Sequence, residues 1–277
     1  MLRTVFLLVY LSNTAAVTLA APSEKLPILG IQEDDDRALV ESTDHPWGAI
    51  GRVNNTMGPF CTGTLIGPRQ VLTAAHCLWN RRTQAWIPPC ALHFVAGYQR
   101  DTYLAHSVVA SYELADKDAT GDKGPHPAGD WAVLTLGKDL GSNVTPLPTL
   151  SLEPKLLQRY RANGIFVQAG YSRDRPHILT RHRNCEIVGF TSKDRIALHE
   201  CDATFGDSGS PILLESNGNF HIVAVHIAIH NRSGKGVAVT GKAFHDQLQT
   251  MEKPRPSKKS FKACGVRSSE FESVATI

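Results

Sequence analysis

Between Pro46 and Thr240 the chain alternates short apolar runs with turn residues, and this alternation limits the fold more than any other feature. The runs include Trp47–Val53, Thr62–Ile66, Val71–Ala75, Ala91–Ala96, Ser107–Leu114 and Trp131–Leu136. They continue through Ile165–Gly170, Glu186–Phe190, Ile196–Glu200, Pro211–Leu214, Phe220–Ile229 and Gly236–Thr240. About a dozen strands of this length, separated by Gly, Pro and Asn, predict an all-β sandwich or barrels. A parallel sheet would need helical periodicity between the strands, and none is present. One short C-terminal helix is predicted over Lys242–Met251, where Phe244, Leu248 and Met251 share a stripe.

The ends of the chain read differently. Arg3, the apolar run Val5–Leu11 and the small residues Thr14–Ala21 have the form of a secretory signal peptide over 1–21. The run is too short for the roughly 20 residues that cross a bilayer, so no membrane anchor is expected and the protein is read as secreted. In that compartment six cysteines are candidates for disulfides. Residues 22–37 end in the acidic cluster Glu33–Asp36 and read as a pro-segment or an extended mature N-terminus. A folded domain is expected over 38–252, followed by a basic, serine-rich flexible tail over 253–277. The 29 Lys and Arg against 26 Asp and Glu leave a net charge of +3. That is too weak and diffuse for a nucleic-acid footprint, so neither nucleic acid nor membrane is expected as a partner. The chain is read as a monomer.

Three segments carry chemistry. TAAHC (73–77) puts His76 after an apolar strand, DWAVL (130–134) puts Asp130 at the head of another, and GDSGSP (206–211) sets Ser208 between glycines. A serine hydroxyl becomes a nucleophile when an imidazole takes its proton, and the imidazole needs a carboxylate on its other nitrogen. Gly206 allows a turn in which its own N–H and that of Ser208 converge on an oxyanion. The order His, Asp, Ser excludes the α/β-hydrolase arrangement, as does Ser210 where that elbow needs glycine. Asp116, Asp118, Asp122 and Asp139 compete with Asp130, but none heads an apolar strand.

With these residues in view, the sequence resembles the trypsin-like serine peptidases of the chymotrypsin fold. Within them it is similar to the secreted glutamyl-endopeptidase-like branch, through DDR (35–37), DHPWGAIGRV (44–53), CTGTLIGPRQVLTAAHC (61–77) and CDATFGDSGSP (201–211). The resemblance implies two antiparallel six-stranded barrels with the site between them, and peptide-bond hydrolysis through an acyl-enzyme. It makes His76 the base, Asp130 the orienting acid, Ser208 the nucleophile, and the Gly206 and Ser208 amides the oxyanion hole. No metal or cofactor is implied; the partners are protein or peptide substrates. The resemblance pairs Cys61 with Cys77, and Cys185 with Cys201 by analogy. Cys90 and Cys264 are then a third bridge or two free thiols.

Two residues bear on substrate preference. By the resemblance, Asp202, six residues before Ser208, has the offset of the trypsin carboxylate that binds a basic side chain, although glutamate-specific members of the family can carry Asp there too. His226 in HIVAVHIAIH (221–230) would favour an acidic one. The resemblance also implies that Asp207 pairs with an α-amino group freed by a cut within 21–37, after Lys25 or after Arg37. The rival reading of the chain is a catalytically silent secreted binding protein on the same scaffold.

Overall fold

The computed structural model describes residues 28–56, 58–115 and 126–251, with side chains to residue 249. The expected signal peptide over 1–21, the expected tail over 253–277, and Asp116, Asp118, Asp122 and Cys264 lie outside the described residues.

The short strand β1 (Ala38–Leu39) precedes the first barrel. That barrel opens with β2 (Ile50–Asn55), β3 (Cys61–Gly67) and β4 (Gln70–Thr73). A small hairpin, β5 (Trp79–Asn80) and β6 (Ala85–Trp86), interrupts it before β7 (Leu92–Ala96), β8 (Ala105–Leu114) and β9 (Ala132–Leu136). The barrel closes in the order β2-β3-β4-β9-β8-β7. Strand β8 shows why these residues form strands: Ala105, Ser107 and Val109 are buried while His106 and Val108 are only partly so, the period of two that a pleated ribbon requires.

The second half contains α1 (Leu157–Asn163), β10 (Ile165–Gly170), β11 (Thr180–Cys185), β12 (Ile187–Thr191) and β13 (Ile196–His199). It continues with β14 (Pro211–Ser216), β15 (Asn219–Ile229), β16 (Gly236–Thr240) and α2 (Gly241–Met251). The sheet order is β1-β11-β10-β14-β15-β16-β13-β12. The fold is thus mostly β, with one closed six-stranded barrel, a second half-barrel sheet and a short C-terminal helix, as in the chymotrypsin fold. The second sheet has eight strands rather than six for two reasons. The chain bends at Glu186, so one ribbon is divided into β11 and β12 and reaches opposite parts of the sheet. The N-terminal segment then adds β1 outside β11, pairing Ala38 with Arg181 and Leu39 with Thr180.

Strand β11 (TRHRNC) and helix α1 are elements that the apolar pattern did not predict. Strand β11 is held by pairing on both sides, with β10 and β1, and buries only Thr180, His182 and Cys185. Helix α2 matches its expected stripe: Phe244 and Leu248 are buried. Phe244 meets the Trp131 ring edge-on, with centroids 5.9 Å apart. Burying a phenyl ring of this kind stabilises by about 2–3 kcal/mol. That contact fastens the C-terminal helix to the residue beside Asp130.

Candidate active site

His76 lies in a 3-10 turn, Ala75–Leu78, directly after β4. The disulfide Cys61–Cys77 ties this turn to the start of β3. Asp130 ends the turn Pro127–Gly129 at the head of β9, which pairs with β4. The pairing of two barrel strands therefore brings the acid and the base together. Asp130 Oδ2 is 2.7 Å from His76 Nδ1, and Asp130 Oδ1 accepts the His76 backbone N–H at 2.8 Å. The carboxylate holds both ring and backbone, which leaves Nε2 as the free nitrogen. Of the competing carboxylates, Asp139 is occupied with the Gly141 amide.

Ser208 sits in the tight loop before β14. Gly206 has φ +101°, a conformation unfavourable for other residues, and a Cβ there would come 2.5 Å from the Tyr171 carbonyl oxygen. Gly209, at φ +84°, is pressed against the Thr62 carbonyl and the Thr73 hydroxyl. The first barrel supports the loop through Thr62. Its N–H donates to the Ser208 carbonyl at 2.8 Å and its hydroxyl to the Gly206 carbonyl at 3.0 Å. That hydroxyl also accepts the Tyr171 N–H at 2.9 Å. Sequence reasoning missed Thr62, whose only local signal is its place beside Cys61. Among the described residues the amides of Asp207, Gly209 and Ser210 have protein acceptors. Those of Gly206 and Ser208 have none, and are thus available to an oxyanion.

His76, Ser208, Gly206 and His226 line one cleft of about 480 Å³ between the two halves. No hydrogen bond joins the Ser208 hydroxyl to His76 among the described contacts. Catalytic contacts of this kind often tighten only once substrate is bound.

Asp207 is fully buried, and burial raises its pKa to about 6. Oδ2 accepts from the Ser172 hydroxyl and the Thr204 amide, both at 2.7 Å. Oδ1 has no partner among the described residues. Of the described cations, Arg37 is the one whose charge favours the ionised form of Asp207. Arg37 is itself buried. It donates to Asp35 at 2.9 Å and to Asp174 at 2.7 Å. Gly30 and Arg37 are buried and the Gln32 and Asp36 amides bond to Asp202, so this segment is anchored to the domain.

Hydrogen bonds from Arg37 hold the Asp35 and Asp174 carboxyls below their ordinary 3.8. Their contribution to stability is full above that value and is lost as pH falls through the lowered folded values. Arg37→Met is expected to lower the unfolding free energy by about 3 kcal/mol at pH 7, with a smaller difference at pH 3. Urea titrations at the two pH values measure this, and equal midpoints for variant and wild type at pH 7 would contradict it.

Asp202 does not line the cleft. It is fully buried, and its two oxygens accept the backbone N–H groups of Gln32 at 2.8 Å and Asp36 at 2.9 Å. The expected contact with a basic substrate side chain therefore finds Asp202 outside the cleft lining, with an N-terminal amide on each oxygen and His182 Nδ1 3.3 Å from Oδ2.

His226 does line the cleft, and its ring makes a second contact that the sequence reading did not include. Its Nδ1 lies 3.0 Å from Nε2 of the fully buried His199. The Cys201 N–H donates to His199 Nδ1 at 3.2 Å. Burial, and then the charge of His76, lowers the His226 pKa to about 3; burial lowers that of His199 as well. With both rings neutral, one arrangement satisfies the contacts. His199 accepts at Nδ1 and donates from Nε2 to His226 Nδ1, so His226 carries its proton on Nε2.

The disulfide Cys185–Cys201 joins the end of β11 to the segment before Asp202. Cys90 is also disulfide-bonded, which removes the free-thiol reading for that residue. Two trios among the described residues gather metal-binding atoms within 4.8 Å: Cys61, His76 and Cys77, and Asp36, His182 and Asp202. The two sulfurs of the first are bonded to each other. In the second, both Asp202 oxygens already accept amides.

Comparison with known proteins agrees with this geometry. The family model described as Trypsin matches residues 38–246. The chain is 27% identical over 239 residues to CLIP domain-containing serine protease B15 of Anopheles gambiae, a match covering 72% of this chain and 64% of that protein. It therefore spans less than two thirds of that relative's length. A shorter match, 38% identical over 50 residues, links it to the glutamyl endopeptidase of Bacillus licheniformis, covering 18% of this chain and 16% of that protein. The solved structure of a Glu endopeptidase in complex with MPD superposes with a TM-score of 0.68 at 20% identity, covering 82% of this chain and 100% of the other. At that identity the likeness is one of fold.

Proposed function

Since the chain belongs to the trypsin family of serine peptidases, we propose that it is a secreted endopeptidase that cuts peptide bonds through an acyl-enzyme. The observation that carries this reading is the double hold of Asp130 on His76, opposite a cleft shared with Ser208 and two uncommitted amides. His76 Nε2 takes the Ser208 proton as Oγ attacks the carbonyl carbon. The oxyanion is received by the Gly206 and Ser208 N–H groups. The imidazolium, stabilised by Asp130, gives its proton to the departing amine. Water then enters by the same steps in reverse order and releases the acyl group.

The preferred residue on the acyl side is acidic, in this reading. Support comes from His226, whose Nε2–H is the free donor of a chain running from the Cys201 amide through His199. The commitment of Asp202 to the N-terminal segment removes the basis for a basic preference. The name of one relative, a glutamyl endopeptidase, points the same way.

Cleavage of a diverse peptide library by the mature protein tests the reading. Cuts are expected after Glu or Asp; cuts confined to Lys and Arg would reject the acidic preference. In His226→Leu, kcat/KM for a Glu substrate should fall by about 100-fold with little change for a Leu substrate. An unchanged Glu-to-Leu ratio would free His226 of this role.

The anchoring of residues 28–37 also bears on maturation. A cut after Arg37 would remove the buried guanidinium from Asp174 and two amides from Asp202, which supports processing before Ile28 in this reading, with Lys25 the nearest basic residue. The disulfides and the segment 1–21 support secretion.

A further inference from the structure

The catalytic cleft has a second cavity beside it. Arg52, Asn54, Tyr98 and Tyr103 line a space of about 430 Å³. Asn55 and Phe60 border both spaces, so the two are neighbours on either side of these residues. Neither is lined by an aspartate or glutamate among the described residues.

The side of the scissile bond follows from the chemistry. Ile227 is the extra residue of a bulge in β15, between the pairs His226–Ala238 and Ala228–Val237. It lines the cleft together with His226, Ala228 and Ile229, so in the peptidase reading the acyl half of a substrate lies along this stretch. The departing amine must meet His76. The leaving-group half therefore runs the other way, over the wall formed by Cys61–Cys77 and Phe60.

Two guanidiniums flank that wall. Arg52 Cζ lies 3.9 Å from the centroid of Phe60 and 5.1 Å from that of Tyr98, and Nη1 donates to the Pro176 carbonyl at 3.0 Å. Arg173 stands across Gly206 from it. Its guanidinium is 5.2 Å from the Phe205 ring, and its amide donates to the Phe205 carbonyl at 2.6 Å. Neither arginine has a carboxylate partner among the described residues; nor does Arg81, which also lines the cleft, whereas Arg37, Arg100, Arg161, Arg175 and Arg183 do. Arg52, half-buried with Phe60 and Tyr98 against it, has given up part of its water and is already oriented, whereas Arg173 is exposed and adds charge from the rim. A carboxylate restores the lost hydrogen bonds in charge-assisted form.

We propose that Arg52 and Arg173 form an acid-selective subsite on the leaving-group side, which holds a Glu or Asp of the substrate within a few residues after the scissile bond. This rests on the peptidase reading above and extends it: the substrate would be a run of acidic residues rather than a single one.

The test uses peptides alike except for Glu or Gln at each of the three positions after the cut. Wild-type protein is expected to favour Glu by about tenfold or more at one position, mainly through KM. Arg173→Gln, on an exposed side chain, should bring that ratio down, and adding Arg52→Met should bring it near one. Arg52→Lys keeps a charge in place and serves if the Met variant does not fold. A wild-type ratio near one at all three positions, or a ratio untouched in the variants, overturns the subsite. Binding of labelled Glu and Gln peptides to the Ser208→Ala protein separates the two readings. Glu-selective binding by the variant, with no hydrolysis by the processed wild type, leaves the subsite standing and rejects the peptidase. Hydrolysis without any such selectivity does the reverse.

Discussion

Ser208→Ala is expected to lose turnover by a factor on the order of 10⁶ while keeping wild-type stability. The two halves of that statement have separate physical grounds. In the proposed mechanism, chemistry depends on Oγ, the atom that would form the acyl bond. Folding depends on the Ser208 backbone, whose carbonyl accepts the Thr62 N–H at 2.8 Å and lies 3.8 Å from the Cys77 sulfur. Alanine keeps the backbone contacts. Labelling with a phosphonofluoridate supplies an independent readout: an adduct at Ser208 in the wild type and none in the variant. A processed wild-type protein that takes no label would be a binding protein on a peptidase scaffold. Undiminished peptide cleavage by Ser208→Ala would remove Ser208 from the mechanism.

Asp130→Asn is expected to lower kcat by about 10⁴-fold, again without unfolding. Oδ1 can go on accepting the His76 amide, so the turn stays in place. The side-chain NH₂ then faces His76 Nδ1, which must accept instead of donate. The ring proton moves to Nε2, the nitrogen that has to receive the Ser208 proton. The variant thus presents the wrong tautomer in an intact site. Single-turnover rates and melting temperature measured together test this. Activity within tenfold of wild type would mean that another group orients His76.

These predictions rest on residues that local sequence exposes. TAAHC, DWAVL and GDSGSP each place a reactive side chain against an apolar strand or between glycines. The alternation of side chains over Ala105–Val109 of β8 is likewise local, since a pleat turns successive residues to opposite faces whatever the strand's neighbours. Strand β11 was less legible because its stability comes from pairing with β10 and β1 and not from apolar content. Thr62 was legible as part of a strand but not as the residue that couples the first barrel to the nucleophile loop.

Asp202 shows the limit of reading by offset. Its spacing from Ser208 suits a carboxylate at the base of a substrate pocket, and nothing nearby in sequence argues otherwise. Its partners are 166 and 170 residues away, in a segment that composition marks only as polar and acidic. His226 shows the same limit in the other direction. Its place in a strand was visible, but its protonation follows from His199 and from burial, which only packing creates.

The sequence by itself determined that the chain folds as antiparallel β ribbons, and which serine, histidine and aspartate are suited to act together. Periodicity and side-chain chemistry are properties of neighbouring residues, so they survive without coordinates. The tertiary structure alone decided which amides satisfy Asp202, which tautomer His226 holds, and which arginines face the cleft without a counter-charge. Those outcomes depend on groups that meet only when distant segments are brought together and water is removed from between them.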